Sequence, residues 1–163
     1  MKKYSTVISA KLLEKSKFSI KDNYLYYDNE QYVWIYTVPK NTIAKLMQID
    51  YSTYSIGLAS GGSERILRKL YIKKTDGTII PTSITFDSNP IRDTSSNYFY
   101  FNEDLTIGVK VNDSKISSNN INFSDSFVNL FFMLEYDSLS AEIEERLNSL
   151  SSRVALLESK INS

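Results

Sequence analysis

From Ser140 to Ile161 the apolar residues Ile143, Leu147, Leu150, Val154, Leu157 and Ile161 are spaced 4, 3, 4, 3 and 4 apart. That is a heptad seam, with Leu147, Val154 and Ile161 at a and Ile143, Leu150 and Leu157 at d. No Gly or Pro interrupts it, and Glu142 stands one turn before Arg146, the spacing of a helical ion pair. Three heptads make a rod of only ~33 Å. A lone helix of that length is marginal in water, so its stripe needs apolar partners. The stripe is narrow and confined to a and d. That favours a coiled coil between copies over an amphipathic helix folded back onto its own domain, which would show a broader apolar face. Residues 138–163 are therefore expected to form an oligomeric coiled-coil stalk, with Ser138 or Ser140 as N-cap.

The rest of the 163 residues suits one domain with a single buried core. Tyr (12) and Phe (8) are abundant, Gly (5) and Pro (3) are few, and short Ser- and Asn-rich breaks recur, a composition that favours β structure. The formal net charge is 0, which argues against nucleic acid as a partner. The chain has no Cys and no His, so neither a disulfide framework nor a zinc site is expected, and the usual general base and thiol nucleophile are missing. Asp87, Asp93, Glu103, Asp104, Asp113 and Asp125 are the carboxylates left for glycosidase-type or Ca²⁺ chemistry, but no DxDxDG spacing occurs. They read as loop solvation and turn formation. No catalytic residue, metal or cofactor is expected. No run reaches the length of a membrane span, and MKKYSTVISAKLLEK lacks a signal-peptide apolar block. Neither membrane insertion nor ordinary secretion is expected.

Residues 1–22 carry six lysines against Glu14 and Asp22, and read as a basic arm or a first strand around Thr6 to Ser9. Residues 23–137 read as the β domain. From Tyr32 to Val38 the chain alternates, with Tyr32, Trp34, Tyr36 and Val38 on one face and Val33, Ile35 and Thr37 on the other. Both faces are apolar, so a central strand with a buried Trp34 is expected. Ile43, Leu46, Met47 and Ile49 lead to Tyr51 at a spacing that a helix would also permit, though the Thr and Tyr content favours a strand. Gly57, Gly61 and Gly62 are followed by Ser63-Glu64-Arg65 rather than Lys-Ser/Thr, so the stretch reads as a loop between strands and not as a phosphate cradle. Thr75-Asp76-Gly77-Thr78 signals a two-residue hairpin, and Pro81 confines the return strand to an edge or an end. Polar loops are expected at 87–97 and 112–126. Leu105, Ile107, Val109 and Val111 should point inward from one strand, and Val128, Leu130, Phe132, Leu134 and Tyr136 should share one face of the last. Eight or nine strands with turns between them spell an all-β fold, an antiparallel sandwich of jelly-roll type, ending in the helix.

Two resemblances add to this. RVALLE, Arg153 to Glu158, resembles the short trimerisation motif of parallel coiled coils, with Arg at g and Glu at e. The resemblance implies a parallel homotrimer with Ile143, Leu147, Leu150, Arg153, Val154, Leu157, Glu158 and Ile161 at the interface. YVWIYTVPKNTIAKLMQI, within residues 32–51, resembles the Y-x-V-P-x-N-T strand–turn–strand of small β domains in bacteriophage fibre, baseplate and head-decoration proteins. NYFYFNEDLTIGVKV and FVNLFFMLEY fit the closing strands of that pattern. This implies a virion structural protein, made in the host cytoplasm, with capsid, fibre or baseplate subunits as neighbours. Here the coiled coil comes last, whereas in the commonest fibre order it precedes the globular part. The alternative is a receptor-binding head that contacts host-surface glycan through Tyr24, Tyr26, Tyr27, Tyr54, Tyr98 and Tyr100; the same tyrosines serve equally as packing.

Overall fold

A computed structural model describes residues 3–86, 99–117, 121–136 and 139–162. The expected loop at 87–97, Tyr98 and the Ser138 cap lie outside the described residues. The fold is antiparallel β with one C-terminal helix. The twelve strands among the described residues are β1 (Lys3–Leu13), β2 (Phe18–Lys21), β3 (Tyr24–Tyr27), β4 (Tyr32–Thr37), β5 (Thr42–Ser52), β6 (Ser55–Gly57), β7 (Ser63–Arg65), β8 (Lys69–Lys73), β9 (Ile79–Thr85), β10 (Phe99–Phe101), β11 (Thr106–Lys110) and β12 (Ser126–Tyr136). The helix α1 spans Leu139–Ile161. Ser140 therefore lies inside the first turn of α1 rather than at its cap.

Eight strands form two four-stranded sheets, β1-β12-β5-β10 and β4-β11-β8-β9, and two small hairpins, β2-β3 and β6-β7, are added. With the eight counted in chain order, the sheets read first–eighth–third–sixth and second–seventh–fourth–fifth. The inner faces share one core. Phe132 of β12 stacks on Tyr36 of β4 with centroids 5.1 Å apart and meets Phe101 edge-on at 6.3 Å. Tyr51 meets Phe86 edge-on at 4.7 Å. One end is closed by a second aromatic group: Phe18 lies 5.0 Å from Tyr27, 5.9 Å from Tyr54 and 5.7 Å from Phe123. Aromatic pairs of this geometry add attraction beyond simple area burial.

β12 buries Val128, Leu130, Phe132, Leu134 and Tyr136 in strict alternation, as its sequence predicts. In β11, Ile107, Val109 and then Val111 are buried likewise. β5 explains the helix-like spacing of its apolar residues. Phe131 pairs with Gln48 and Phe132 with Leu46, so Met47 is an extra, bulged residue. The bulge lets Leu46 and Ile49, three apart, both face the core.

The expected central strand 32–38 is instead the edge of the second sheet. Gly108 pairs with Trp34 and Ile107 with Tyr36, so Ile35 is bulged and the alternation reverses across it. Val33 and Tyr36 face the core, while Trp34 is half-buried on the outer face, stacked on Tyr32. Gly108 makes room for it, because a Cβ there would run into the Val33 carbonyl oxygen and, at 2.6 Å, the indole ring. Both faces of 32–38 are apolar because one meets the core and the other carries an aromatic stack.

Two further expectations are corrected, the extent of the first strand and the length of the Asp76-Gly77 hairpin. β1 extends over eleven residues rather than the four around Thr6 to Ser9. A short 3₁₀ turn at Lys15–Lys17 precedes β2. The Asp76-Gly77 hairpin is longer than two residues: Lys73 pairs with Ile79, Lys74 N–H donates to Thr78 O at 2.9 Å, and Gly77 takes φ +87°. The glycine-rich stretch is the β6-β7 hairpin, with Gly61 and Gly62 at φ +94° and +80°. β9, which contains Pro81, is an edge strand as expected, since Pro cannot donate to a neighbour.

Candidate assembly surface

Helix α1 forms from residues with no breaker among them and carries the expected ion pair, Arg146 Nη2 to Glu142 Oε1 at 2.7 Å. Glu142 also meets Lys3 Nζ at 3.5 Å, which ties the first turn of α1 to the start of β1. From there α1 runs back along the domain. Glu145, Asn148, Ser149, Ser152, Arg153 and Leu156 line an open cleft of about 650 Å³ whose other wall is Ile8, Ser9, Ala10 and Ile35.

At 3.6 residues per turn those helix residues, Arg153 apart, lie roughly opposite the a/d stripe. The helix thus turns a mainly polar side to its own domain. Ile143, Leu147, Leu150, Val154, Leu157 and Ile161 face away, each between 47% and 80% exposed. Arg153 and Glu158 are exposed as well. An apolar seam left in water along a whole helix is costly, and its usual meaning is a missing partner.

A second apolar strip lies on the β domain, and its Ile8 lines the cleft across from the mainly polar side of α1. β1 alternates, and its outward residues Tyr4, Ile8 and Leu12 are well exposed. Across the β1-β12 ladder Ile8 pairs with Phe131, Leu12 with Phe127 and Thr6 with Met133. Those three β12 residues are half-buried on the same outer face. The solvated face of an antiparallel sheet is normally polar, and this one is apolar at the strands nearest α1.

Glu145 gives the helix–domain junction its electrostatics. Burial pushes its carboxyl above the usual value of 4.5. Burial, and then the charge of Glu145, pushes up the phenols of Tyr36 and Tyr136. The Tyr36 hydroxyl is buried with no hydrogen-bond partner among the described residues. A carboxyl whose folded pKa exceeds its unfolded value holds its proton longer in the folded chain, so folding is penalised increasingly as pH rises from 4.5 through the raised value. The penalty is complete once pH exceeds the raised value. Glu145→Gln is therefore expected to raise stability at neutral pH, by less than about 1 kcal/mol given solvent screening. Melting curves should show the gain disappearing below pH 4.5.

The described tyrosines named for a glycan site differ in exposure and in neighbours. Tyr27 is buried, and its hydroxyl accepts from Glu14 N–H at 3.3 Å. Tyr54 belongs to the aromatic group at the domain end. Tyr24 and Tyr26 are half-buried on the β2-β3 hairpin, with Lys115 Nζ 5.8 Å from the Tyr24 ring. Tyr100 is exposed on β10, with Lys45 Nζ 6.0 Å from its ring.

The described residues of the acidic set have structural contacts, in the case of Asp104 through its backbone. Asp125 accepts from Lys15 N–H at 2.8 Å, and Asp113 accepts from the Tyr71 hydroxyl at 2.7 Å. Glu103 accepts from Asn41 N–H, and Asp104 N–H donates to Val38 O at 2.8 Å. Asp87 and Asp93 lie outside the described residues. No helix is long and apolar enough to cross a membrane among the described residues. Comparison of the chain with protein families, with curated proteins and with solved structures finds no match.

Proposed function

We propose that the chain is a non-enzymatic structural subunit of a virus particle, acting as a parallel homotrimer. Its C-terminal helices form a coiled coil on the axis, and the β domains, each a jelly-roll sandwich, stand around them. The observation that carries this reading is the orientation of α1, which turns its polar side to its own domain and its a/d seam outward. A helix meant only to cover its own domain would present the opposite side.

The strand order supports the jelly roll, since first–eighth–third–sixth against second–seventh–fourth–fifth is that of two interlocked Greek keys. Arg153 and Glu158, beside the seam, support three strands. The outer strip of β1 and β12 supplies area that three heptads alone lack, through Ile8, Leu12 and Phe131. Capsid, fibre or baseplate subunits are the neighbours this role requires, the chain being made in the host cytoplasm and residing in the virion.

Light scattering of the purified protein tests the assembly, with three times the 18.7 kDa chain mass expected. A dimer overturns the trimer motif, and a monomer at micromolar concentration overturns the whole scheme. Co-sedimentation of the chain with density-banded particles tests the virion role.

A further inference from the structure

A small cleft of about 250 Å³ opens beside the outer face of β4, between β1 and the β3-β4 turn, and Lys11, Asp28, Glu30, Tyr32 and Trp34 line it. We infer that this cleft is a binding site for a single pyranose ring of a glycan.

One wall is aromatic. Tyr32 and Trp34 are stacked with centroids 5.5 Å apart and planes 10° from parallel. The stack is held in place before any ligand arrives: Tyr71 meets Tyr32 edge-on at 5.3 Å and is itself fixed by its hydrogen bond to Asp113. Lys73 Nζ sits 4.7 Å from the Trp34 ring centroid. The other wall is polar and equally rigid. Asp28 and Asn29 take φ +52° and +63°, and Tyr27 N–H and Glu30 N–H each donate to the other's carbonyl, at 2.8 and 3.0 Å. That is a two-residue turn of the primed kind, which fixes where Asp28 and Glu30 stand.

A pyranose has an apolar C–H face and a rim of hydroxyls. The first stacks on the aromatic wall; the second donates to the two carboxylates and accepts from Lys11. Lys73 and Lys110 stand over the Trp34 and Tyr32 rings, 4.7 and 5.7 Å from their centroids, so the cleft carries both signs of charge. The volume falls just below the ~300–1,000 Å³ of drug-sized sites, which limits the occupant to about one ring.

Trp34 is the chain's only tryptophan, so its fluorescence reads the cleft directly. Titration of the full-length protein with free glucose, galactose, mannose and N-acetylglucosamine should give a saturable emission change for at least one of them, in the millimolar range. Glu30→Ala and Asp28→Asn should each weaken that response about tenfold, the loss of one charge-assisted hydrogen bond. Asn tolerates the left-handed backbone at position 28, so the turn survives, and circular dichroism checks both variants. No saturable change with any of the four sugars overturns the inference. So does a change that both variants retain in full. The titration reads the cleft whatever mass light scattering gives, so failure here leaves the assembly reading standing, and the reverse.

Discussion

Replacing both Leu150 and Leu157 by Asp is expected to convert a species of three times 18.7 kDa into one of a single chain mass. Each substitution places a carboxylate in a d layer, where three copies would meet in a dry seam, and an unpaired charge there costs several kcal/mol. The two leucines are more than half exposed in the single chain, at 57% and 58%, so the β domain loses no core contact. Its melting transition should remain, while the helical part of the circular dichroism falls, because a helix this short is marginal alone. A variant that keeps the full mass would move assembly entirely to the β domains, and the outer strip of β1 and β12 would be the place to look.

Phe132→Ala is expected to have the largest effect on the domain itself. Phe132 has no exposed surface and lies between Tyr36 of the opposite sheet and Phe101 of its own. Truncating a buried Phe of this kind costs about 3–5 kcal/mol, because the ring's transfer energy and the cavity it leaves both count. That is a large share of the ~5–15 kcal/mol that holds a domain folded. Urea denaturation should show the midpoint fall with little change in slope. A loss under about 1 kcal/mol would mean that the two sheets do not share this core.

How far the sequence foretold the structure depended on how regular each strand is. β12 could be read residue by residue, since its alternation never breaks. β4 and β5 each contain a bulge, and an extra residue turns a period of two into a local period of three. That is why the Ile43 to Ile49 spacing would also suit a helix, and why Trp34 was expected on the core side. Two turns were missed because they lack Gly. Asp22-Asn23, at φ +52° and +65°, and Asp28-Asn29 both adopt left-handed backbone, which Asp and Asn tolerate better than other side chains. The Asp-Asn dipeptide, occurring twice within eight positions, was the available signal.

The candidate site divides the same way. The helical seam shows in the sequence because its members lie within one periodic segment. The apolar strip was half visible, through Phe131 and Met133, but its β1 half depended on a pairing partner more than a hundred residues away. The cleft at Tyr32 and Trp34 was not visible, since Lys11 reaches it from a different sheet.

The bulges also decide where the chain tolerates shortening. Deleting one residue from a regular stretch of β5 or β12 would flip every side chain beyond the gap and turn the core face toward solvent. Met47 and Ile35 are exempt, because each is the unmatched residue of its ladder, and losing it would restore plain pairing on both sides. Ile35 also forms part of the wall that faces α1. Its deletion would leave both sheets in register while removing the side chain beneath the helix. A length variant at that single position would separate the folding of the β domain from the seating of the helix beside it.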